Sequence, residues 1–349
     1  MIRFESDYTQ GAVPEIIEKL VETNLEQTPG YGTDKYCMSA AEKIKKEIGN
    51  ENADVHFLVG GTQTNYIFIS SVLRPHQGVI SACTGHINVH ESGAIEATGH
   101  KVIGLPSDDG KMDADIFEKY VSGYWADGTY EHMVQPGMLY ISQPTENGTL
   151  YTAAELKRLR EICDKYSMLL YVDGARMGYG LMAEGNDVTL PLLAELCDIF
   201  YIGGTKVGAL FGEALVIVND ALKKDFRYMQ KRHCGMFAKG RLLGLQFLEM
   251  FKDGLYYEMG KNGIDTAYRV RDAFRKAGFP FLYESNTNQQ FPVLPDTVLE
   301  ILSEKFSWDY WCRVDEEHSC VRFCTSWATT DEYVKALEAE LEKFTCKTE

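Results

Sequence analysis

The chain has 349 residues, 45% of them apolar and 12% aromatic, enough for a sizeable core, and so is not a disordered chain. Its 51 acidic and 35 basic residues leave a net charge of −16, which repels phosphate backbones and anionic membranes and argues against a nucleic-acid or membrane role. No apolar run reaches the roughly 18 residues of a membrane helix, and MIRFESDYTQ lacks the basic flank and apolar block of a signal peptide.

The nine cysteines form no CxxC and are odd in number, so free thiols in a reducing cytoplasm are expected. Cys320 and Cys324 lack nearby paired ligands, and zinc is not expected there. The length fits about two domains, or one large α/β unit with an appendage.

In chain order, VHFLV at 55–59 reads as a buried strand, followed by GGTQTN and a helix through Ile67, Ile69, Val72 and Leu73. Further strands are expected near 79–82, 102–105, 138–142 (MLYIS) and 168–172 (MLLYV), with helices between them. The clearest helix is 152–166, where Leu156, Leu159, Ile162 and Cys163 recur at three- and four-residue spacing. Thr152 and Glu155 form a capping box at its start. This alternation implies a mostly parallel sheet sandwiched by helices.

One link breaks the rhythm. IFYI at 199–202 and ALVIV at 214–218 are joined by GGTKVGALFGE, which is short for a helical crossover. An antiparallel, hairpin-like connection is expected, displaying Lys206 at the end of the sheet. Helical stretches follow from 236 and over 264–278. Beyond them come FPFLY, QQFPVLP, a helix near 296–306, WDYWCRV, SCVRFCTSW and a closing helix at 331–344. They suggest a smaller α+β domain with two or three strands. The expected division is 1–255 for the large domain and 256–349 for the small one.

Three segments carry chemistry together. GGTQTN places backbone N–H groups at a strand-to-helix turn, where a helix N-terminus favours an anion such as phosphate. A tight turn with a Thr cap is the alternative. VDGAR puts Asp173 at the tip of a buried strand, where α/β sheets place ligands, with Arg176 available as a structural partner. Lys206 is either a solvated loop lysine or a partly desolvated amine able to attack a carbonyl. As a set they describe a pyridoxal 5'-phosphate site: Gly61 and Thr62 for the phosphate, Asp173 for the pyridine nitrogen, Lys206 for the aldehyde.

Two further features remain. His86 and His90 in GHINVHESG share a helix face beside Glu91. No third metal ligand is apparent, so stacking of His86 on a flat cofactor ring is weighed against a core histidine. Arg322 in VRFCTSW needs an anion, either a substrate carboxylate or a local Glu316 or Glu317.

SDYT, PGYGTDKY, GGTQTN, GHINVHESGAIEATGH, YISQPTENGTLY, VDGARMG and GGTKVGALFGEA, in this order, resemble the threonine aldolase/β-eliminating lyase family over about residues 4 to 330. The resemblance implies a pyridoxal-phosphate enzyme of the aspartate-aminotransferase fold (fold type I), closest to the low-specificity L-threonine aldolases. It implies that Lys206 joins the cofactor aldehyde, Asp173 pairs with the ring nitrogen, Gly61 and Thr62 hold the phosphate, and His86 stacks on the ring. Arg176 would lie near the phenolic oxygen and the substrate carboxylate, which Ser6 and Arg322 would bind. Tyr31 would reach a neighbouring subunit's site and Lys239 a neighbour's phosphate, in a homodimer or homotetramer with shared sites.

The loop PTENG departs from the family in carrying Glu146 where many members have a histidine that contacts the substrate hydroxyl. Glu146, His86 or a water is then the base. The implied reaction is retro-aldol cleavage of a β-hydroxy-α-amino acid to glycine and an aldehyde. β-Elimination, racemisation and transamination by the same cofactor stay open as alternatives.

Overall fold

The computed structural model describes residues 1–345, so Cys346 lies outside the described residues. Strand β1 (Ile2–Arg3) and helices α1 (Pro14–Glu22) and α2 (Lys35–Glu47) come first. The alternating part then runs β2 (Asp54–Leu58), α3 (Gly61–Val72), β3 (Gln77–Ala82), α4 (His86–Val89), β4 (Val102–Leu105), α5 (Ala114–Ala126), β5 (Gln135–Ser142), α6 (Ala153–Lys165) and β6 (Leu169–Asp173). It continues through α7 (Met177–Met182), α8 (Leu190–Leu196), β7 (Ile199–Gly203) and β8 (Glu213–Ile217) to α9 (Phe226–Arg232), α10 (Arg241–Met250) and α11 (Leu255–Lys276). The last part holds β9 (Gln289–Gln290), β10 (Val293–Pro295), α12 (Asp296–Ser303), β11 (Phe306–Ser307), β12 (Asp309–Arg313), β13 (His318–Cys324) and α13 (Asp331–Leu341).

Seven strands form the main sheet in the order β2-β8-β7-β6-β5-β3-β4. β7, β6, β5, β3 and β4 pair in parallel. The expected hairpin is present: β8 runs antiparallel to β7, with Glu213 opposite Gly203. β8 also lies antiparallel to β2, which closes that edge.

Both faces are covered, and for this reason the central strands read as unbroken apolar runs. On one face Leu139, Ile141, Leu170, Val172, Phe200 and Ile202 pack with Leu156, Leu159 and Ile162 of α6 and Phe247 of α10. On the other, Met138, Tyr140, Tyr171, Tyr201 and Leu215 meet Ile67 and Phe68 of α3 and Ile87 of α4. α6 starts with the expected capping box: Glu155 N–H donates to Thr152 Oγ1 at 3.2 Å, and Thr152 N–H to Glu155 Oε2 at 2.7 Å. Such a cap contributes about 1 kcal/mol.

α11 links two cores. Its first half buries Tyr256, Met259 and Ile264 in the core of the sheet; its second half buries Val270 and Phe274 with Leu294, Phe306, Phe323 and Leu337. Phe4 joins this second core because β1 pairs with β11. The C-terminal part holds five short strands, more than expected, since two- and three-residue strands leave no periodicity to read. The helix expected from 236 starts only at Arg241. Before it, Gly240 packs so closely that an added Cβ would lie 2.4 Å from Gly32 N. Among the described residues no helix is long and apolar enough to cross a membrane.

Candidate active site

The carboxyl ends of β2, β3, β5, β6 and β7 open into a cavity of about 510 Å³. It brings together Gly61, Thr62, His86, Glu146, Asp173, Arg176, Lys206 and Arg322. This is where an open α/β sheet binds ligands.

α3 enters the cavity by its N-terminus. Its cap is Gly60, in extended conformation and with no side-chain hydrogen bond, so the Thr-capped turn weighed from the sequence is not what forms. The first-turn N–H groups are therefore left for a ligand. A Cβ on Gly61 would lie 2.9 Å from the Tyr201 hydroxyl, so the approach over this turn depends on glycine. The arrangement fits a phosphate.

Asp173 is buried at the end of β6. Its Oδ2 accepts from Tyr140 OH at 2.5 Å and Asn65 Nδ2 at 3.2 Å, and its Oδ1 from Ala175 N–H at 3.0 Å. Three donors supply what a buried anion requires. Asn65 Nδ2 also donates to Glu91 Oε1 at 2.7 Å, and Tyr171 OH donates to Asn65 Oδ1 at 2.6 Å. Glu91 Oε1 in turn lies 2.8 Å from His86 Nδ1, which fixes Nδ1 as the protonated nitrogen. Asn65 and Tyr140 were not legible as site residues, because each acts on Asp173, distant in sequence; Glu91 was seen beside His86, but its support of the imidazole was not.

Lys206 sits in the β7–β8 link, with its carbonyl accepting from Tyr179 OH at 2.6 Å. Burial, then the charge of Arg176, lowers the affinity of its amine for a proton, against the pull of Asp7, Asp173 and Glu213. A solvated loop lysine is not what the fold makes.

Arg176 does not pair with Asp173. Its Nε lies 2.7 Å from Asp7 Oδ2 and its Nη2 3.1 Å from Asp7 Oδ1. Asn288 Nδ2 also donates to Asp7 Oδ2, at 3.0 Å. Burial would raise the Asp7 pKa, but the charges of Arg176 and Lys206 outweigh it and hold it low.

Glu146 accepts from Ser142 Oγ at 2.6 Å through Oε1, while its buried Oε2 has no partner. Burial pushes its carboxyl above the usual range, against the hydrogen bond from Ser142 and the charge of His86. Arg322 pairs with Asp309 at 2.8 Å, not with Glu316 or Glu317, because β12 and β13 set Asp309 opposite it. Its Nη1 donates to Gln289 Oε1 at 3.2 Å and its Nε is buried without a partner. Ser6 is buried but does not line the cavity. Tyr31 and Lys239 are exposed and lie away from it, near one another: Tyr31 N–H donates to Ala238 O at 3.2 Å.

A parallel sheet whose strand ends gather a desolvated lysine, a buried carboxylate and an anion cradle defines an enzyme of the lyase and aminotransferase type. The model of the Beta-eliminating lyase family matches residues 3–296, and the chain belongs to that family. The chain is 26% identical over 343 residues to a low specificity L-threonine aldolase of Pseudomonas sp., covering 97% of this chain and 96% of the relative. A solved structure of Leishmania major threonine aldolase superposes with a TM-score of 0.96 at 39% identity, covering 99% of this chain and 100% of that one. Aspartate aminotransferase of Thermus thermophilus, 12% identical, superposes with a TM-score of 0.72 over 99% of this chain and 91% of its own. The fold is thus that of the aspartate aminotransferases.

Proposed function

We propose that the protein is a pyridoxal-phosphate-dependent aldehyde-lyase that cleaves L-threonine, L-allo-threonine or a related β-hydroxy-α-amino acid to glycine and an aldehyde. The observation that carries this is the meeting of Lys206, Asp173 and the α3 N-terminus in one cavity, in a chain resembling threonine aldolases throughout its length.

Pyridoxal 5'-phosphate, when bound, supplies an aldehyde for an amine and a cationic ring that accepts electrons from a breaking bond. The chain does the rest. The N–H groups at Gly61 and Thr62 would hold the phosphate. Asp173, fixed by Tyr140 and Asn65, would pair with the ring nitrogen. His86, oriented by Glu91, would stack on the ring. Burial, then the charge of Arg176, makes the Lys206 amine easier to deprotonate, which favours its attack on an aldehyde.

Arg322, held by Gln289, and Arg176 would face the substrate carboxylate, which Ser6 would also bind. Glu146 takes the β-hydroxyl proton at its unpartnered Oε2. General-base help of this kind is worth about 10² to 10⁴ in rate. Tyr31 and Lys239 belong to a face that meets a second copy in a homodimer or homotetramer; the exposed Met38 and Phe237 around Tyr31 favour this. The eight free cysteines among the described residues accord with a cytoplasmic location.

The test is product identity. With L-threonine the loaded enzyme should release glycine and acetaldehyde in equal amounts. Ammonia and a keto acid in their place would instead establish an eliminating enzyme.

A further inference from the structure

The two arginines of the cavity are held differently. Arg176 grips Asp7 with Nε and Nη2 together, and the two side chains are 9% and 0% exposed. Arg322 meets Asp309 with Nη2 alone, at 2.8 Å, and the Asp309 side chain is 49% exposed where it lines the cavity. The Nε of Arg322 is buried and has no partner among the described residues. One pair is locked into the protein. The other is half made and open to water.

The remaining contacts of Arg322 do not depend on Asp309. Nη2 also donates to Glu5 O at 3.3 Å, and Nη1 to Gln289 Oε1 at 3.2 Å. Trp311 adds a third support. The register between β12 and β13 shifts between Tyr310 and Cys312, so Trp311 sits on a bulge, a feature that re-aims a side chain. Its ring lies 5.8 Å from the guanidinium carbon and packs edge-on against Phe291 at 4.9 Å. The guanidinium therefore stays in place if Asp309 moves.

A carboxylate held on two prongs needs two parallel N–H groups. A guanidinium has two such pairs, Nε with Nη2 and Nη1 with Nη2. Both need Nη2, whose two N–H groups are taken by Asp309 and Glu5 O. A substrate carboxylate cannot be gripped in this way while Asp309 stays. We propose that Asp309 holds the place of the substrate carboxylate on Arg322: it turns to solvent when substrate arrives, and the carboxylate takes Nη2 and the unpartnered Nε together. The incoming group makes both bonds where Asp309 makes one, which is why it displaces the aspartate. In the empty site the aspartate keeps a mostly buried cation paired. This rests on the reading that Arg322 binds the substrate carboxylate.

The test uses the cofactor-loaded enzyme as wild type, Asp309→Asn, Asp309→Glu and Arg322→Ala. Glycine is titrated against the absorbance of the bound cofactor, and KM and kcat are measured with L-threonine. D309N keeps the shape of the side chain and removes the competing charge. Its glycine dissociation constant and its KM should fall by about two- to fivefold, the worth of a partly exposed ion pair, with the effect in KM rather than kcat. D309E restores the charge and should bring both values back toward wild type. Weaker glycine binding by D309N, the result expected if Asp309 only steadies Arg322, overturns the proposal, and so does unchanged affinity. A crystal structure of the wild type with glycine should show the glycine carboxylate on Arg322 and Asp309 turned away; Asp309 still on Nη2 would also overturn it. If Arg322→Ala binds glycine as tightly as wild type, the parent reading fails instead.

Discussion

Asp7, in the segment after β1, grips Arg176, just beyond the end of β6, along one edge of its guanidinium, with contacts of 2.7 and 3.1 Å between buried groups. The pair ties the N-terminal segment to the floor of the site and sets a cation beside Lys206. Removing one member of such a pair strands the other charge, a loss of about 3 to 5 kcal/mol. Asp7→Asn should lower stability in urea by about that amount.

The same pair has a pH signature. The folded pKa of Asp7 lies below its unfolded value of about 3.9, so its contribution is complete above that pH and fades as pH falls toward the folded value. The stability gap between wild type and Asp7→Asn should therefore be constant near neutrality and shrink in acid. A gap that stays the same down to pH 3 would contradict the assignment.

Gly61→Ala pushes a methyl group to 2.9 Å from the Tyr201 hydroxyl. Overpacking of this sort costs about 1 to 3 kcal/mol, or five- to a hundredfold in affinity. Equilibrium dialysis should show weaker cofactor binding by that factor, partly restored when Tyr201→Phe removes the oxygen. If the single variant binds as wild type does, the α3 turn is not the phosphate seat.

Asn65 joins Asp173, the proposed partner of the ring nitrogen, to Glu91, which supports His86. Asn65→Ala leaves two buried carboxylates short of a donor, at about 1 to 3 kcal/mol. Cofactor affinity should drop by roughly tenfold or more, while Asn65→Asp, which adds a third acid, should bind still more weakly.

Glu146 has to be ionised to act as a base, and burial makes that happen at a higher pH than for an ordinary glutamate. The acid limb of kcat should accordingly sit above the usual value of about 4.3. Glu146→Gln should lower kcat by about 10² to 10⁴ and remove that limb. Near-normal turnover in this variant would hand the role to His86 or to water.

Much of this site was legible in the sequence, because its key groups sit on local motifs. An acid closing an apolar run marks Asp173, and a link too short for a helix marks Lys206. Their partners were not legible. Asp7, Asn65 and Asp309 are ordinary polar residues until the sheet brings them to Arg176, Asp173 and Arg322. Ser6, Tyr31 and Lys239 came from resemblance alone, and within one chain none of them lines the cavity.

The most direct measurement of the central claim is chemical mapping of the linked amine. Protein loaded with pyridoxal 5'-phosphate is reduced with borohydride, digested and analysed by peptide mass. The pyridoxyl group should be found on the peptide containing Lys206 and on no other lysine. A label elsewhere, or none on a protein that still cleaves threonine, would contradict the account.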